Sequence, residues 1–195
     1  MNTFLKVLML VFLAHPLLAE TPALIFSEPS FSGTGCSVDS VAFLATKEAF
    51  TLIFSNYLAE RGPGIPRVEN FSNCRIKTRV TVPAGYNAEV VSVDYRGFTR
   101  VENRTISLLV TAFKLGTIQV GSSPVKYFIG PKEVDFFKRD KPYFTRKDRC
   151  TKTRVVPLEL NSYIAVLGDS SAQGVIALDS IDGVVEAKLS LRRCN

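Results

Sequence analysis

Polar and apolar residues alternate with a period of two along most of the chain, and this pattern constrains the fold more than any other feature of the sequence. It is clearest over Arg75–Val82, where two sets of side chains alternate: Arg75, Lys77, Arg79 and Thr81 against Ile76, Thr78, Val80 and Val82. Successive side chains of a β-strand point to opposite faces, so the pattern predicts a strand there. Pro83 and Gly85 are expected to end it.

Similar alternation predicts the remaining strands. The long ones are Ala88–Phe98, Arg104–Leu115 and Val184–Leu191, and the shorter candidates are Val38–Leu44, Phe50–Phe54, Val125–Phe128, Arg154–Leu160, Tyr163–Leu167 and Val175–Asp179. Turn residues separate them, such as Asp182-Gly183 and the stretch from Gly168 to Gly174. About ten short strands predict an all-β fold, an antiparallel β-sandwich or barrel-like sandwich in a single domain.

Two of these strands carry specific expectations about their faces. In Ala88–Phe98 the pattern places Val91, Val93 and Tyr95 on one face and Asp94 with Arg96 on the other, so we interpret Asp94 as a same-face neighbour of Arg96. In Arg104–Leu115 the alternating sets are Ile106, Leu108, Val110 and Ala112 against Thr105, Ser107 and Thr111. The burial of each side chain in the folded chain tests these assignments.

The N-terminal residues have the pattern of a secretory signal peptide. Lys6 is followed by the apolar run Val7–Leu18 and then by a small residue, Ala19. The run is shorter than the roughly 20 residues of a membrane span, and Pro16 disfavours a continuous helix. The chain is accordingly expected to comprise a signal peptide at 1–19, an extended lead-in at 20–32 and a secreted β domain at 33–195. Cleavage after Ala23 and a buried N-terminal helix are the alternatives.

Four cysteines in an exported chain predict two disulfides. Three pairings are possible, and we favour Cys36–Cys74 with Cys150–Cys194 because each pair brackets one half of the chain. In the chain-entropy model each bond would stabilise the fold by roughly 3–4 kcal/mol. A zinc site is the alternative, but no two cysteines have the close spacing that such sites use.

The residue content excludes several kinds of catalytic and metal site. The one histidine, His15, lies in the expected signal peptide, so the exported chain has none for a Ser-His-Asp or Cys-His mechanism or for a histidine metal site. Two disulfides would leave no thiol nucleophile. Ser123 and Lys126 have the S-x-x-K spacing, which we attribute to coincidence because Pro124 lies between them. No cofactor or metal is expected.

A hydrolase that uses two carboxylates is the remaining enzymatic possibility. Six candidate carboxylates are available: Asp94, Glu133, Asp135, Asp169, Asp179 and Asp182. No spacing selects a pair among them. Asp169 lies in a turn, where its side chain is expected to cap its own backbone.

The segment Lys138–Arg154 is unusually basic. It contains two acidic residues, Asp140 and Asp148, and eight cations: Lys138, Arg139, Lys141, Arg146, Lys147, Arg149, Lys152 and Arg154. Charge runs of this kind are usually solvated loops that maintain solubility, and this is the interpretation that we favour. The functional hypothesis is a surface for a polyanion, such as an acidic glycan, a nucleic acid or anionic lipid headgroups. Lys138 and Arg139 are expected to lie away from the core.

An ordered series of short motifs resembles a known family. The series is Gly33-Thr34-Gly35-Cys36, Phe50–Phe54, Gly62-Pro63-Gly64, Asn73-Cys74, Val82-Pro83-Ala84-Gly85-Tyr86 and Val93–Phe98, followed by Cys150, Leu158–Asn161 and Cys194. It resembles domain-of-unknown-function family 4360, which comprises small secreted proteins of bacteria and fungi. The chain departs from that pattern at Leu191-Arg192-Arg193-Cys194, where members often carry a Trp, and in the basic segment. The resemblance implies no activity, ligand or catalytic residue.

These features favour a secreted or cell-envelope protein that is not an enzyme and that binds a partner or forms structure. A polyanion is the partner that the basic segment favours. The alternative is a secreted hydrolase with two catalytic carboxylates.

Overall fold

The computed structural model describes residues 22–122, 124–142, 150–178 and 183–194. The described chain forms two antiparallel sheets and two short 3-10 helices, Val38–Ser40 and Arg67–Asn70. The strands are β1 (Ile25–Phe26), β2 (Ser30–Ser32), β3 (Val41–Ala45), β4 (Ala49–Phe54), β5 (Leu58–Arg61), β6 (Phe71–Val82), β7 (Tyr86–Val101), β8 (Thr105–Leu115), β9 (Ile118–Ser122), β10 (Lys126–Ile129), β11 (Lys132–Asp140), β12 (Arg154–Gly168), β13 (Gly174–Ala177) and β14 (Val184–Arg193). The all-β sandwich prediction is confirmed, and the sheets do not close into a barrel.

Sheet I has the strand order β1-β6-β12-β8-β10, with β2 also pairing with β6 and β9 with β8. Its centre is β12, which pairs with β6 on one side and β8 on the other. Glu159 of β12 therefore lies between Lys77 of β6 and Lys114 of β8.

Sheet II has the strand order β3-β4-β14-β7-β13-β5, and β11 pairs with the free side of β7. The β11–β7 pairing runs from Lys132 opposite Val101 to Asp140 opposite Val93. The edge strands β10 and β11 of the two sheets meet through Phe128 and Phe136, whose ring centroids are 5.0 Å apart. Packing between these rings covers one side of the sandwich.

The core lies between the sheets, and two disulfides tie its ends. Fully buried members include Phe50, Leu52, Tyr57, Phe113 and Ile164. The predicted pairing is confirmed: Cys36 and Cys74 have Cα atoms 5.3 Å apart, and Cys150 and Cys194 have Cα atoms 6.2 Å apart. The second bond joins the residues before β12 to the end of β14, beside the turn at Gly85.

Burial confirms the predicted faces of β6 and corrects those of β7. Strand β6 alternates exposed and buried residues throughout, with its basic residues outward. In β7, Val93 is fully buried but Val91 is 48% exposed. Leu189 lies opposite Val90 whereas Lys188 lies opposite Ser92, so a β-bulge leaves Val91 without a partner and turns it outward. The prediction that Val91 shares a face with Val93 was therefore wrong.

Several elements also differ from the expected strands. The candidates Arg154–Leu160 and Tyr163–Leu167 form one continuous strand, β12. The candidate Val38–Leu44 begins as a 3-10 helix before β3. The expected lead-in contains β1 and β2, which pair with β6. Strand β11 was not predicted, because charged residues, Lys138 and Asp140, occupy two of its inward positions and break the apolar period of two.

Candidate functional site

The basic segment begins on β11, and its first residue is buried. Lys138 is 7% exposed, so the expectation that it lies away from the core was wrong. Residues of β11 at even positions point between the sheets, and Lys138 lies on that side opposite Tyr95 of β7. A side chain in this position is out of reach of a polymer in solvent.

Lys138 belongs to a buried cluster with Asp140, Thr111 and Tyr95. Its Nζ donates to a carboxylate oxygen of Asp140 and to Oγ1 of Thr111, at 2.6 Å, and lies 5.4 Å from the centre of the Tyr95 ring. Thr111 Oγ1 in turn donates to the other oxygen of Asp140. Burial lowers the pKa of Lys138, and the bond to Asp140 opposes that shift. Lys138 and Asp140 therefore form a hydrogen-bonded ion pair in the core.

Arg139 points to the opposite side and is also paired. Its guanidinium donates to both oxygens of Asp94, at 2.7 and 2.6 Å. This bidentate bond lowers the pKa of Asp94, a shift that burial of the carboxyl opposes. Asp94 and Arg96 share the outer face of β7, as predicted, but the ion pair of Asp94 runs across the strands to Arg139 of β11. Arg96 instead lies 5.7 Å from the Phe137 ring.

The rest of the basic segment is only partly described. Lys141 and Lys152 are exposed. Arg154 is half-buried and donates to the Tyr86 carbonyl and to the Asn87 side chain. Arg146, Lys147 and Arg149 lie outside the described residues. Five cations of this segment are described. Two of them, Lys141 and Lys152, are exposed and have no described ion pair or hydrogen bond.

A second basic surface lies on the outer face of sheet I. Arg75, Lys77 and Arg79 occupy successive outward positions of β6, and all three are exposed; we call them the cation row. Outward side chains on one strand are about 6.8 Å apart, so the row spans about 14 Å. Lys114 of β8 extends it across the sheet.

Two carboxylates border the cation row. Arg75 donates to Glu159 at 2.9 Å and thereby lowers the pKa of that carboxyl, while Lys114 lies 4.0 Å from its other oxygen. Glu28 and Lys77 line a shallow depression of about 380 Å³ next to the row. Four cations thus face two carboxylates, and this surface retains a positive balance.

Polar groups without charge also surround the row. Ser32 and Ser30 of β2 lie opposite Arg75 and Lys77, and both serines are exposed. Asn73 precedes the row on β6, and Asn161 of β12 lies opposite Arg75. Hydroxyl and amide groups next to cations can bond the hydroxyls of a ligand while the cations bind its anionic groups. The alternating basic residues of β6 were visible in the sequence, but we used them only as a strand signal.

Four of the six candidate carboxylates of a hydrolase lie among the described residues, and two of these, Asp94 and Asp169, are bonded to other groups. Asp169 caps its own turn, as predicted, because its Oδ1 accepts from the backbone and hydroxyl of Ser171. Glu133 and Asp135 are exposed on the outer side of β11. Asp179 and Asp182 lie outside the described residues. No group of three potential metal ligands occurs among the described side chains.

Comparison with known proteins assigns the family. A family model described as "Domain of unknown function (DUF4360)" matches residues 25–194. The chain belongs to the DUF4360 family. The resemblance inferred from the ordered motifs is therefore confirmed. An "Uncharacterized secreted protein" of Arthroderma benhamiae is similar to this DUF4360 chain, with 27% identity over 156 residues; the match covers 78% of the chain and 64% of the relative.

Two solved structures have limited similarity to this DUF4360 protein. One is TmCBM61 in complex with beta-1,4-galactotriose, with 14% identity, 85% of this chain and 90% of that chain covered, and a TM-score of 0.25. The other is the enzymatically active domain of bacteriophage CBA120 tailspike protein 4, with 12% identity, 85% and 20% covered, and a TM-score of 0.24. Scores this low carry no argument about ligand or activity. In the part of the chain that is described, no helix has the length and apolar content to span a membrane.

Proposed function

We propose that this DUF4360 protein is secreted and binds an acidic polysaccharide through the cation row, without catalysing a reaction. The observation that carries the proposal is the position of Arg75, Lys77 and Arg79, three exposed cations on one face of one strand. A rigid strand holds these charges in place, so less conformational entropy is lost on binding than with a flexible tail. Lys141 and Lys152 of the basic segment would add to the attraction at longer range.

A polysaccharide is favoured over other polyanions by the neutral groups around the row. Ser30, Ser32 and Asn73 have both donors and acceptors, and sugar hydroxyls can bond both, whereas a phosphate chain, which only accepts, would use the donors alone. The secreted relative also supports a partner outside the cell. Binding of this kind should weaken steeply as salt rises, since each contact releases counterions.

The signal peptide at 1–19 is part of the same proposal. Leu24 is buried, and its backbone N–H donates to the carbonyl of Lys47. Cleavage after Ala19 leaves this anchoring intact, whereas cleavage after Ala23 would make Leu24 the terminus. N-terminal sequencing of the exported protein should therefore begin at Glu20, and a start at Leu24 would contradict this site.

The alternative, a hydrolase with two carboxylates, is less well supported. Such an enzyme needs a general acid whose pKa is raised. In the described residues the carboxyls with shifted pKa values, Asp94, Glu159 and Asp169, are all shifted downward by cations or hydrogen bonds. Turnover of a glycan that is lost on changing one Asp or Glu, with the fold intact, would restore this alternative.

Heparin chromatography tests the proposed site. We expect Lys77→Ser with Arg79→Ser to elute at clearly lower salt than the wild type. The charge-matched control, Lys47→Ser with Lys132→Ser, removes two exposed cations elsewhere and should elute close to the wild type. Equal elution of both double variants would show that only net charge matters, and elution of the wild type in the void volume would refute the binding itself. A third variant, Lys141→Ser with Lys152→Ser, measures the contribution of the basic segment to heparin binding.

A further inference from the structure

The outer face of sheet I has an apolar half as well as a basic half. Three rows of outward residues cross its strands at the end away from Arg79, and we call them the apolar patch: Ile129, Ile106 and Leu167; Tyr127, Leu108 and Phe71; Val110 and Tyr163. Tyr127 is 61% and Ile129 is 62% exposed. The rings of Phe71 and Tyr163 stack with centroids 6.2 Å apart, so part of the patch is already organised as a flat surface.

The patch arises because β8 turns its polar residues inward. Thr105, Ser107 and Thr111 are buried, and each has a partner: Thr105 donates to the Glu102 carbonyl, Ser107 lies 2.6 Å from the Thr99 hydroxyl, and Thr111 bonds Asp140. These bonds hold the strand in its register. A shift by one residue would expose Leu109 and Phe113, which are fully buried, and would leave Asp140 and Thr99 without these partners. Ile106, Leu108 and Val110 must therefore face outward.

The size of the patch suits an interface. With about 200 Å² for a large apolar side chain, the exposed fractions amount to roughly 500–600 Å² of apolar surface, at the upper end of what monomers expose. Homodimer interfaces are about 65% apolar, so a patch of this size corresponds to roughly 800–900 Å² per partner. That matches the roughly 800 Å² per partner of a stable, standard-size interface.

We propose that the apolar patch binds the same patch of a second copy, which gives a twofold-symmetric dimer with the two sheets I face to face. Flat sheets pack in this way about 10 Å apart, with their outward side chains interdigitated. Repulsion between the two cation rows selects the orientation in which they lie at opposite ends of the dimer. In that orientation Lys77 and Arg79 of each copy stay in solvent, so dimerisation does not depend on the proposed polysaccharide site.

Light scattering coupled to size-exclusion chromatography tests the dimer. The purified exported protein should have twice its monomer mass at about 100 μM and should dissociate on dilution. Tyr127→Glu with Ile129→Glu places two charges in the patch and should give a monomer. Tyr127→Glu alone should already weaken the dimer. Val155→Glu adds the same single charge outside the patch, at a residue of β12 that is 58% exposed on the same face, and it should leave the dimer intact.

Failure of the dimer and failure of polysaccharide binding give different results in these experiments. A milder variant, Tyr127→Ser, should weaken the dimer without any risk to folding, and near-UV circular dichroism checks the fold of each variant. A wild type that is monomeric at about 100 μM overturns the proposal. It does so even if the monomer binds neutral lipid vesicles, because the occupant of the patch would then be a lipid surface and not a second copy. A dimer that survives in the double variant, or that Val155→Glu disrupts equally, overturns it as well. Heparin elution of the Tyr127→Ser variant reports separately on the cation row.

Discussion

Two stretches of the chain are rich in cations, and the fold uses them in opposite ways. On β6 the cations alternate with apolar and small polar residues, so the pleat places Arg75, Lys77 and Arg79 all in solvent. On β11 two cations are adjacent in sequence, so the pleat sends Lys138 into the core and Arg139 to the outer face. Both are then neutralised by carboxylates.

The difference shows that charge density along a sequence does not measure charge density on a surface. A strand separates neighbours onto two faces, so spacing by two concentrates charge whereas adjacency divides it. All three cations of β6 are therefore exposed, whereas one of the two adjacent cations of β11 is buried. Perturbing the two stretches separately tests this contrast.

The largest effect is expected from Lys138. Lys138→Met leaves Asp140 buried without its cation, which should lower the free energy of unfolding by about 3–5 kcal/mol. Lys77→Met, the matched change on β6, should alter it by less than about 0.5 kcal/mol because that side chain is exposed. Urea unfolding measures both. Equal midpoints for the two variants would mean that the buried ion pair does not matter to stability.

A companion variant separates lost packing from lost charge. Replacing the pair together, as Lys138→Met with Asp140→Leu, should recover most of the stability because no unpaired charge is left in the core. If the double variant is no more stable than Lys138→Met, the loss comes from the packing of the lysine chain instead.

A smaller effect, which depends on pH, is expected from the pair on the outer face. Arg139 lowers the pKa of Asp94, so the stabilisation is fully present above the unfolded pKa of about 3.9 and is lost as pH falls through the lower folded value. Asp94→Asn should lower the melting temperature by a few degrees at pH 7. Below pH 4 the melting temperature of this variant should decrease less steeply with falling pH than that of the wild type. Thermal unfolding from pH 2 to 7 measures this, with Asp135→Asn, an exposed carboxyl of β11, as control.

The smallest effect concerns single members of the cation row. If Lys77 contacts the polymer, Lys77→Gln should reduce the slope of log affinity against log salt by about one. Lys138→Gln should leave the slope of the folded protein unchanged, since a buried ammonium releases no counterion. Titrations with heparin at four or five salt concentrations give both slopes, and an equal reduction in the two variants would place Lys138 in the site after all.

Local patterns predicted the strands but not their neighbours. The period of two located β6 and β14, and the even number of cysteines indicated the disulfides. The residue pattern around Asn161 and Ser162 does not indicate a strand. These residues belong to β12 because they pair with β6 on one side and β8 on the other. The bulge at Val91 depends in the same way on Leu189, almost a hundred residues later.

The candidate site was equally difficult to predict from the sequence. The outward position of Arg75, Lys77 and Arg79 followed from the sequence, but the low number of carboxylates around them depends on which strands lie alongside. Burial of Lys138 required knowing that Thr111 and Asp140 meet between the sheets. Each is a property of sheet topology, which local residue patterns do not encode.

The topology of sheet I also has a consequence for how the chain must fold. Phe71 pairs with Ala165, so β6 cannot complete its pairing with β12 until Ala165 has been synthesised. Contacts so distant in sequence form slowly, and a long unpaired strand is a template for aggregation. The cations of β6 would repel the same unpaired strand of a second unfolded chain, as gatekeeper residues do. The residues proposed to bind a polymer in the folded protein would thus protect the unfolded chain from aggregation before β12 is available.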